Sequence, residues 1–380
     1  MNPSVRAAAM GLGLAALAAI PTAAYGQTVQ GESEYPRIRI QGRMQPQFYY
    51  LDNKPYSDEV GPTNQIFLRR ARFRFRVYLR DDLSVMLNPS FEGSPAEVRI
   101  QDAYIDLRLS RKDSRLYALF RVGQLKTRFG RYENKSSTNL PSLERGGGAG
   151  MVGGASNDLF KSAGFLGRDV GAVFFLGSTT SPAHWGHGKP AGGGEPSKHP
   201  WGLAISMFNG QGASASDVNN TKSFGARGSF RVLPKLDLGA AVYRHDGIVG
   251  ADSSFTNIAY GFEAEWGTLA APGLWLDFEA MYGQAFTTAE PWMLGLTLIG
   301  AYHIRMPEGH VFYALEPAGQ LDMGDPATDT NNDRTYLWRI GLNAYLTPQT
   351  QFRFMFENMS FQADGAESIF GIRTGITISW

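Results

Sequence analysis

The last eleven residues of the chain alternate without a break. Phe370, Ile372, Thr374, Ile376, Ile378 and Trp380 fall on one face, and Gly371, Arg373, Gly375, Thr377 and Ser379 on the other. A period of two belongs to a β-strand with one apolar and one polar side. An aromatic residue as the very last of such a strand is unusual in a soluble protein.

That ending is similar to the C-terminal assembly signal of bacterial outer-membrane barrels, which finish in Phe or Trp. The opposite end reads as a signal peptide over residues 1–26. Arg6 supplies a positive start, Ala7 to Ile20 is apolar, Pro21 breaks the run, and Ala24-Tyr25-Gly26 offers small residues for cleavage. Cleavage after Ala24 is the alternative. The apolar run is shorter than the roughly 20 residues a spanning helix needs, which argues against a retained anchor. Residues 27–380 then form a single domain. With no cysteine in the chain, disulfides and thiolate metal sites drop out. Removing Arg6 takes the formal charge from +1 to about 0. Any electrostatic function therefore depends on where the charges sit, not on their sum.

Sixteen segments carry period-two alternation: 37–50, 65–80, 83–91, 98–110, 117–126, 169–176, 201–209, 224–231, 236–244, 259–266, 274–284, 292–303, 311–320, 336–347, 351–361 and 368–380. The number is even, as closure of a bacterial single-chain barrel requires. Links alternate in length. Asp81-Asp82, Leu233-Pro234-Lys235, Pro307-Glu308-Gly309 and Pro348 are tight, whereas 51–64, 127–168, 210–223, 245–258 and 321–335 are long and rich in turn residues. Residues 177–200 depart from this rhythm with a long Pro/Gly/His segment where a short turn is expected. Trp266, Trp275, Trp292, Trp338 and Trp380 lie near segment ends, as an interfacial aromatic girdle would have them. A soluble sandwich or β-helix would also alternate, but no fixed-period repeat is present. The reading is all-β: a 16-stranded antiparallel transmembrane β-barrel in the outer membrane, its outer face in contact with lipid.

The second segment decides what faces the lumen. Arg70, Arg72, Arg74 and Arg76 share one face, and Ala71, Phe73, Phe75, Val77 and Leu79 the other. An Arg at the bilayer midplane costs about 2–4 kcal/mol, so the arginines point inward. Successive ones are roughly 6.6–6.8 Å apart along the strand. A row of guanidinium forks offers repeated weak contacts to a phosphate or carboxylate, which can be handed on rather than trapped. By the same parity, Arg37, Arg39 and Arg43 join from the first segment, and Arg339, Arg353 and Arg373 from the last three. Closure makes these one basic wall. Arg227 and Arg231 form a separate basic strip. Glu263, Glu265, Asp277, Glu279 and Glu316 form an acidic wall, and Asp102 and Asp106 add acids on the fourth segment. A lumen polarised in this way orients polar solutes.

Three stretches resemble the phosphate-selective porin O/P family: Arg69-Arg70-Ala71-Arg72, Val122-Gly123-Gln124-Leu125-Lys126-Thr127-Arg128-Phe129-Gly130, and Gly167-Arg168-Asp169-Val170-Gly171. The resemblance implies a trimeric porin whose third outer loop, here 127–168, folds inward as a constriction. Lys126 and Arg128 would stand at that constriction. The loop carries Arg131, Lys135, Arg145, Lys161 and Arg168 besides, against Glu133, Glu144 and Asp158, and its glycines at 146–148 and 153–154 suggest flexibility.

Other signals lead nowhere specific. The 146–154 glycines lack the Gly-Lys-Ser/Thr of a nucleotide loop. His184, His187 and His199 sit in the irregular segment, and His245, His303 and His310 have no Ser or Asp at a diagnostic spacing. Lys and Arg are spread over strand faces, which excludes a nucleic-acid patch. No cofactor, metal or catalytic residue is expected. Three functions follow in order: a passive channel for small anions with phosphate or polyphosphate first, a general porin of low selectivity, and a barrel enzyme.

Overall fold

A computed structural model describes residues 35–380 apart from 93–96, 112–113, 139, 179–200, 250–252 and 286–290, together with the pair Thr28–Val29. The expected signal peptide, nearly all of the 177–200 segment and its three histidines lie outside the described residues.

Strands follow in the order β1 (Arg37–Leu51), β2 (Asn64–Tyr78), β3 (Leu83–Glu92), β4 (Glu97–Arg108), β5 (Leu116–Lys126), β6 (Arg168–Ser178), β7 (Trp201–Phe208) and β8 (Ser223–Leu233). The second half is β9 (Leu236–Val249), β10 (Ser253–Trp266), β11 (Gly273–Gln284), β12 (Trp292–Arg305), β13 (Ala314–Asp325), β14 (Thr335–Thr347), β15 (Thr350–Phe361) and β16 (Ile369–Ser379). Each pairs antiparallel with its sequence neighbours, and β16 returns to β1 with Gly371 opposite Leu51 and Ser379 opposite Arg43. Backbone bonds between Gly42 and Trp380, at 3.0 and 3.1 Å, complete the seam. The molecule is a closed sixteen-strand barrel, so every ladder finds a partner within the chain.

All sixteen alternating segments are strands, and the differences lie at their ends. β9 runs on to Val249 and β10 begins at Ser253, so the long link expected over 245–258 shrinks. β13 runs from Ala314 to Asp325 rather than over 311–320. The polar residues that read as loop, such as His245 and Asn257, are buried on the inner face. A polar lumen gives a strand the composition of a turn.

Alternation sends large apolar side chains such as Phe73, Ile205, Phe262, Leu298, Leu321 and Phe356 outward, where they are exposed. Trp266 and Trp338 are exposed with them, but Trp275 is 2% exposed and its indole Nε1 donates to Glu265 at 2.7 Å. Trp275 shares the parity of Asp277 and Glu279 and faces inward, outside any girdle.

Two prolines reset the parity. Gln45 pairs with Arg70 but Pro46 pairs with Leu68, leaving Arg69 as an extra residue in β2. Asn88 pairs with Asp102 but Pro89 pairs with Ile100, leaving Gln101 extra in β4. Pro has no N–H to give the ladder, and a β-bulge opposite it absorbs the break. Arg69 and Arg70 consequently reach the same carboxylate although they are adjacent in sequence.

Candidate pore lining and the 127–167 segment

The link between β5 and β6 is held by inner-face residues on the far side of the sheet. Three apolar clusters do this. Phe129, Phe160, Phe165 and Leu166 pack with Phe175, Phe208, Tyr243, Met281 and Met293. Tyr132, Leu140 and Leu143 meet Trp275, Ile299, Ala301, Ala318 and Met355. Met151 and Ala155 meet Tyr49, Leu51, Leu337, Met359 and Ile369. Burial of these side chains contributes on the order of 1.5–3 kcal/mol each relative to exposure. The segment's glycines serve close approach here. At Gly324 of β13 an added Cβ would meet the carbonyl oxygen of Gly154, and at Gly150, with φ +83°, it would meet Tyr49 and Leu51.

Charges complete the attachment. Arg131 opens a helical turn (Arg131–Asn134) and reaches Glu265 and, at 3.9 Å, Glu263, while Lys135 bonds Glu265 at 2.6 Å. Glu263 is also bound at 2.6 Å by Arg227, and the Arg131 backbone N–H donates to Glu279. The acidic residues Glu263, Glu265, Asp277 and Glu279 are thus buried beneath the segment's cations and do not form an open wall. Glu316 lies apart, accepting from Asn343 at 3.0 Å and Tyr345 at 3.1 Å, with His303 at 2.9 Å. A buried pair such as Arg227–Glu263 needs both members: leaving one buried alone costs about 3–5 kcal/mol.

Arg339, Arg353 and Arg373 have the same fate with opposite sign. They are 2%, 0% and 0% exposed. Arg339 donates to Glu357 at 2.6 Å and to the Gly147 carbonyl at 2.9 Å; Arg373 donates to Glu357 at 2.9 Å and to the Ala149 carbonyl at 2.8 Å. Arg353 donates to the Thr138 carbonyl at 3.0 Å. These three, read from sequence as pore lining, hold the segment's backbone and lie outside the cavity lining.

A cavity of about 570 Å³ lies against β1 to β5 and the near side of the segment. Arg39, Arg43, Arg70, Arg72, Arg74, Arg76, Lys126 and Arg128 all line it. Its lining holds fifteen Lys or Arg side chains and six Asp or Glu. The six acids are engaged. Glu144 takes Arg69 at 2.6 Å and Arg70 at 3.3 Å. Glu92 takes Arg72 through a fork whose second contact is 2.8 Å. Asp106 takes Arg76 at 3.1 Å and Arg121 at 2.5 Å, and Asp102 takes Arg168 at 2.8 Å. Glu133 lies 3.4 Å from Lys126 and 3.3 Å from Arg145, and Asp158 accepts the Gly147 N–H at 2.7 Å. Arg128 bonds Asn134 at 3.0 Å and sits 4.9 Å from the Phe175 ring. Arg39, Arg43 and Arg74 make no ion pair among the described residues.

Several segment groups have shifted protonation, Glu144 and Lys135 among them. Burial alone would raise the Glu144 carboxyl, but Arg69 and Arg70 outweigh it and hold it well below the usual range. Burial pushes the Lys135 ammonium down to about 8, against the pull of Asp277. Arg69 escaped the sequence reading, because parity alone sends it to lipid; Pro46 on the neighbouring strand was the available signal. Asp169 was quoted only within a motif. It accepts the Gly210 N–H at 2.6 Å and the Val170 N–H at 2.7 Å, and so ties the β7–β8 link to the start of β6.

Comparison with known proteins fits this geometry. The barrel is similar to an anion-selective porin from Comamonas acidovorans, with TM-score 0.58 and 13% identity over 90% of this chain and 99% of that one. It is similar to the outer-membrane channel DcaP of Acinetobacter baumannii, with TM-score 0.55 and 13% identity over 92% and 99%. It is also similar to OmpT of Vibrio cholerae in its trimer form, with TM-score 0.53 and 9% identity over 90% and 99%. No curated protein sequence matches the chain. A closed barrel of this strand number with an apolar exterior is a protein of the bacterial outer membrane. Residues 38–261, more than half of the sequence, match the profile of one family, and the chain belongs to it: the phosphate-selective porins O and P.

Proposed function

We propose that the barrel is a passive diffusion channel for small anions, with phosphate as the first candidate. The observation that carries this is the cavity lining, with fifteen basic and six acidic side chains around about 570 Å³. An excess of one sign in a low-dielectric enclosure concentrates the opposite ion. The 127–167 segment is the constriction in this reading. Its attachment to β9–β16 neutralises the acidic residues there and leaves the β1–β5 wall exposed to water. The acidic wall does not compete in this reading, because Glu263, Glu265 and Asp277 are paired with Arg131, Lys135 and Arg227 and Glu279 accepts the Arg131 N–H, while Glu316 is held by His303, Asn343 and Tyr345. Lys126 and Arg128 flank the narrow point, and the arginines of β2 extend the path along the barrel. A homotrimer is the assembly we expect, as in the trimer form of Vibrio cholerae OmpT.

Efflux from proteoliposomes tests the reading. Vesicles holding labelled phosphate should empty far faster than vesicles holding an organic cation of similar size. Equal rates for both solutes would leave a general porin, and retention of both would remove the channel.

A further inference from the structure

Gln124 and Asp169 belong to the stretch that matches the family, yet neither is among the residues lining the cavity. They are 7% and 3% exposed, and both hold the same piece of chain, the 209–222 link between β7 and β8. Gln124 Oε1 accepts the Ser214 backbone N–H at 2.6 Å and the Ser214 hydroxyl at 3.1 Å. Asp169 accepts the Gly210 N–H at 2.6 Å, and beside it the Asn209 N–H donates to the Val170 carbonyl at 3.0 Å. The link is seated tightly there: a Cβ added at Gly210, with φ +86°, would meet the Asp246 carbonyl oxygen.

The other end of the Gln124 amide reaches β4. The ladder between β4 and β5 stops with Ala103 opposite Gln124. Beyond that point β4 pairs with β3 alone among the described residues. Gln124 Nε2 stands in for the missing strand, donating to the carbonyls of Ile100 at 2.5 Å and Gln101 at 3.2 Å. Those residues form the β4 bulge opposite Pro89, and a bulge re-aims the side chain next to it. That side chain is Asp102. It accepts from Asn88 at 2.6 Å and from Arg168, the neighbour of Asp169, at 2.8 and 3.4 Å. Asp102 and Arg168 both line the cavity. One link therefore holds both ends of a lining ion pair, the acid through Gln124 and the bulge, the base through Asp169.

We propose that the 209–222 link is a clamp that sets the anion selectivity of the channel by keeping Asp102 on Arg168, with Gln124 and Asp169 as its positioning residues. The proposal rests on the channel reading and adds to it an element outside the 127–167 segment. Clamped, the pair presents no net charge to the path. Released, its members part unequally. Asp102 has a short side chain and keeps its Asn88 contact, whereas Arg168 has a long one at the first position of β6 and leaves with the link. An uncompensated carboxylate then faces the path, repelling anions and admitting cations. Truncating the Gln124 amide removes four hydrogen bonds at once, enough to populate the released form.

Reversal potential under a KCl gradient, with the assembled protein in a planar bilayer, reads the chloride-to-potassium permeability ratio. Q124L should lower that ratio by about threefold or more, the scale of one partly exposed ion pair. In a D102N/R168Q background no charge remains to be released, and Q124L should change the ratio by less than about 1.5-fold on the same scale. Equal loss in both backgrounds would mean that Gln124 merely supports the barrel, and would overturn the clamp. An unchanged ratio in Q124L beside an anion-selective wild type would overturn the clamp and leave the channel reading standing. A wild type without anion preference would overturn the channel reading and the clamp with it. D169N, which loosens the pair from the Arg168 side, carries the same expectations if Q124L does not assemble.

Discussion

Glu144 is the residue on which the arrangement turns. Its carboxylate takes Arg69 and Arg70 from β2, and its backbone carbonyl accepts from Ser142 at 3.0 Å. It joins the 127–167 segment to β2. Glu144→Gln should keep the shape but leave two arginines without their charge partner, at a cost of about 3 kcal/mol in stability. Thermal unfolding in detergent checks the cost, and open-channel current noise should rise as the segment loosens. The pH dependence has a definite sign. A carboxylate depressed in the folded state contributes stability above its ordinary range and loses it only as pH falls through the folded value. The Glu144 contact, held well below 4.5, should therefore survive at pH 5, and conductance there should match that at neutral pH. Inward arginines were legible from parity; their partners were not. Arg69 and Glu144 are 75 residues apart, and no local pattern links a loop acid to a bulge created by Pro46 on another strand.

The elements themselves were almost fully written in the alternation, because lipid on one side and water on the other force period two into every strand. What the alternation concealed is that the inner face is of two kinds. On β1–β5 it is charged. On β11–β15 it carries Met281, Met293, Ile299, Ala301, Ala318, Met355 and Met359, which cover the 127–167 segment. These apolar residues at inner-face positions, set among charges such as Asp277, Glu279, Arg353 and Glu357, were the signal that something other than water sits against them. The segment's glycines, which look like flexibility in the sequence, are points of close contact with the wall. Gly324→Val tests this: its new side chain displaces the Gly154 carbonyl and should detach that end of the segment. The barrel should still assemble, with single-channel conductance higher than wild type. Unchanged conductance would mean that the segment does not limit the pore.

At the scale of the whole molecule, net charge says nothing and distribution says nearly everything. A chain with formal charge +1 gathers fifteen basic and six acidic side chains around one cavity. The folded barrel turns near-neutrality into a strongly basic lumen, and this is the claim on which the functional reading stands. Reversal potential in a planar bilayer under a KCl gradient tests it most directly. Chloride should carry most of the current, giving a potential near the chloride equilibrium value and collapsing towards zero at high ionic strength as the wall is screened. A potential of the opposite sign, with potassium carrying the current, would contradict it.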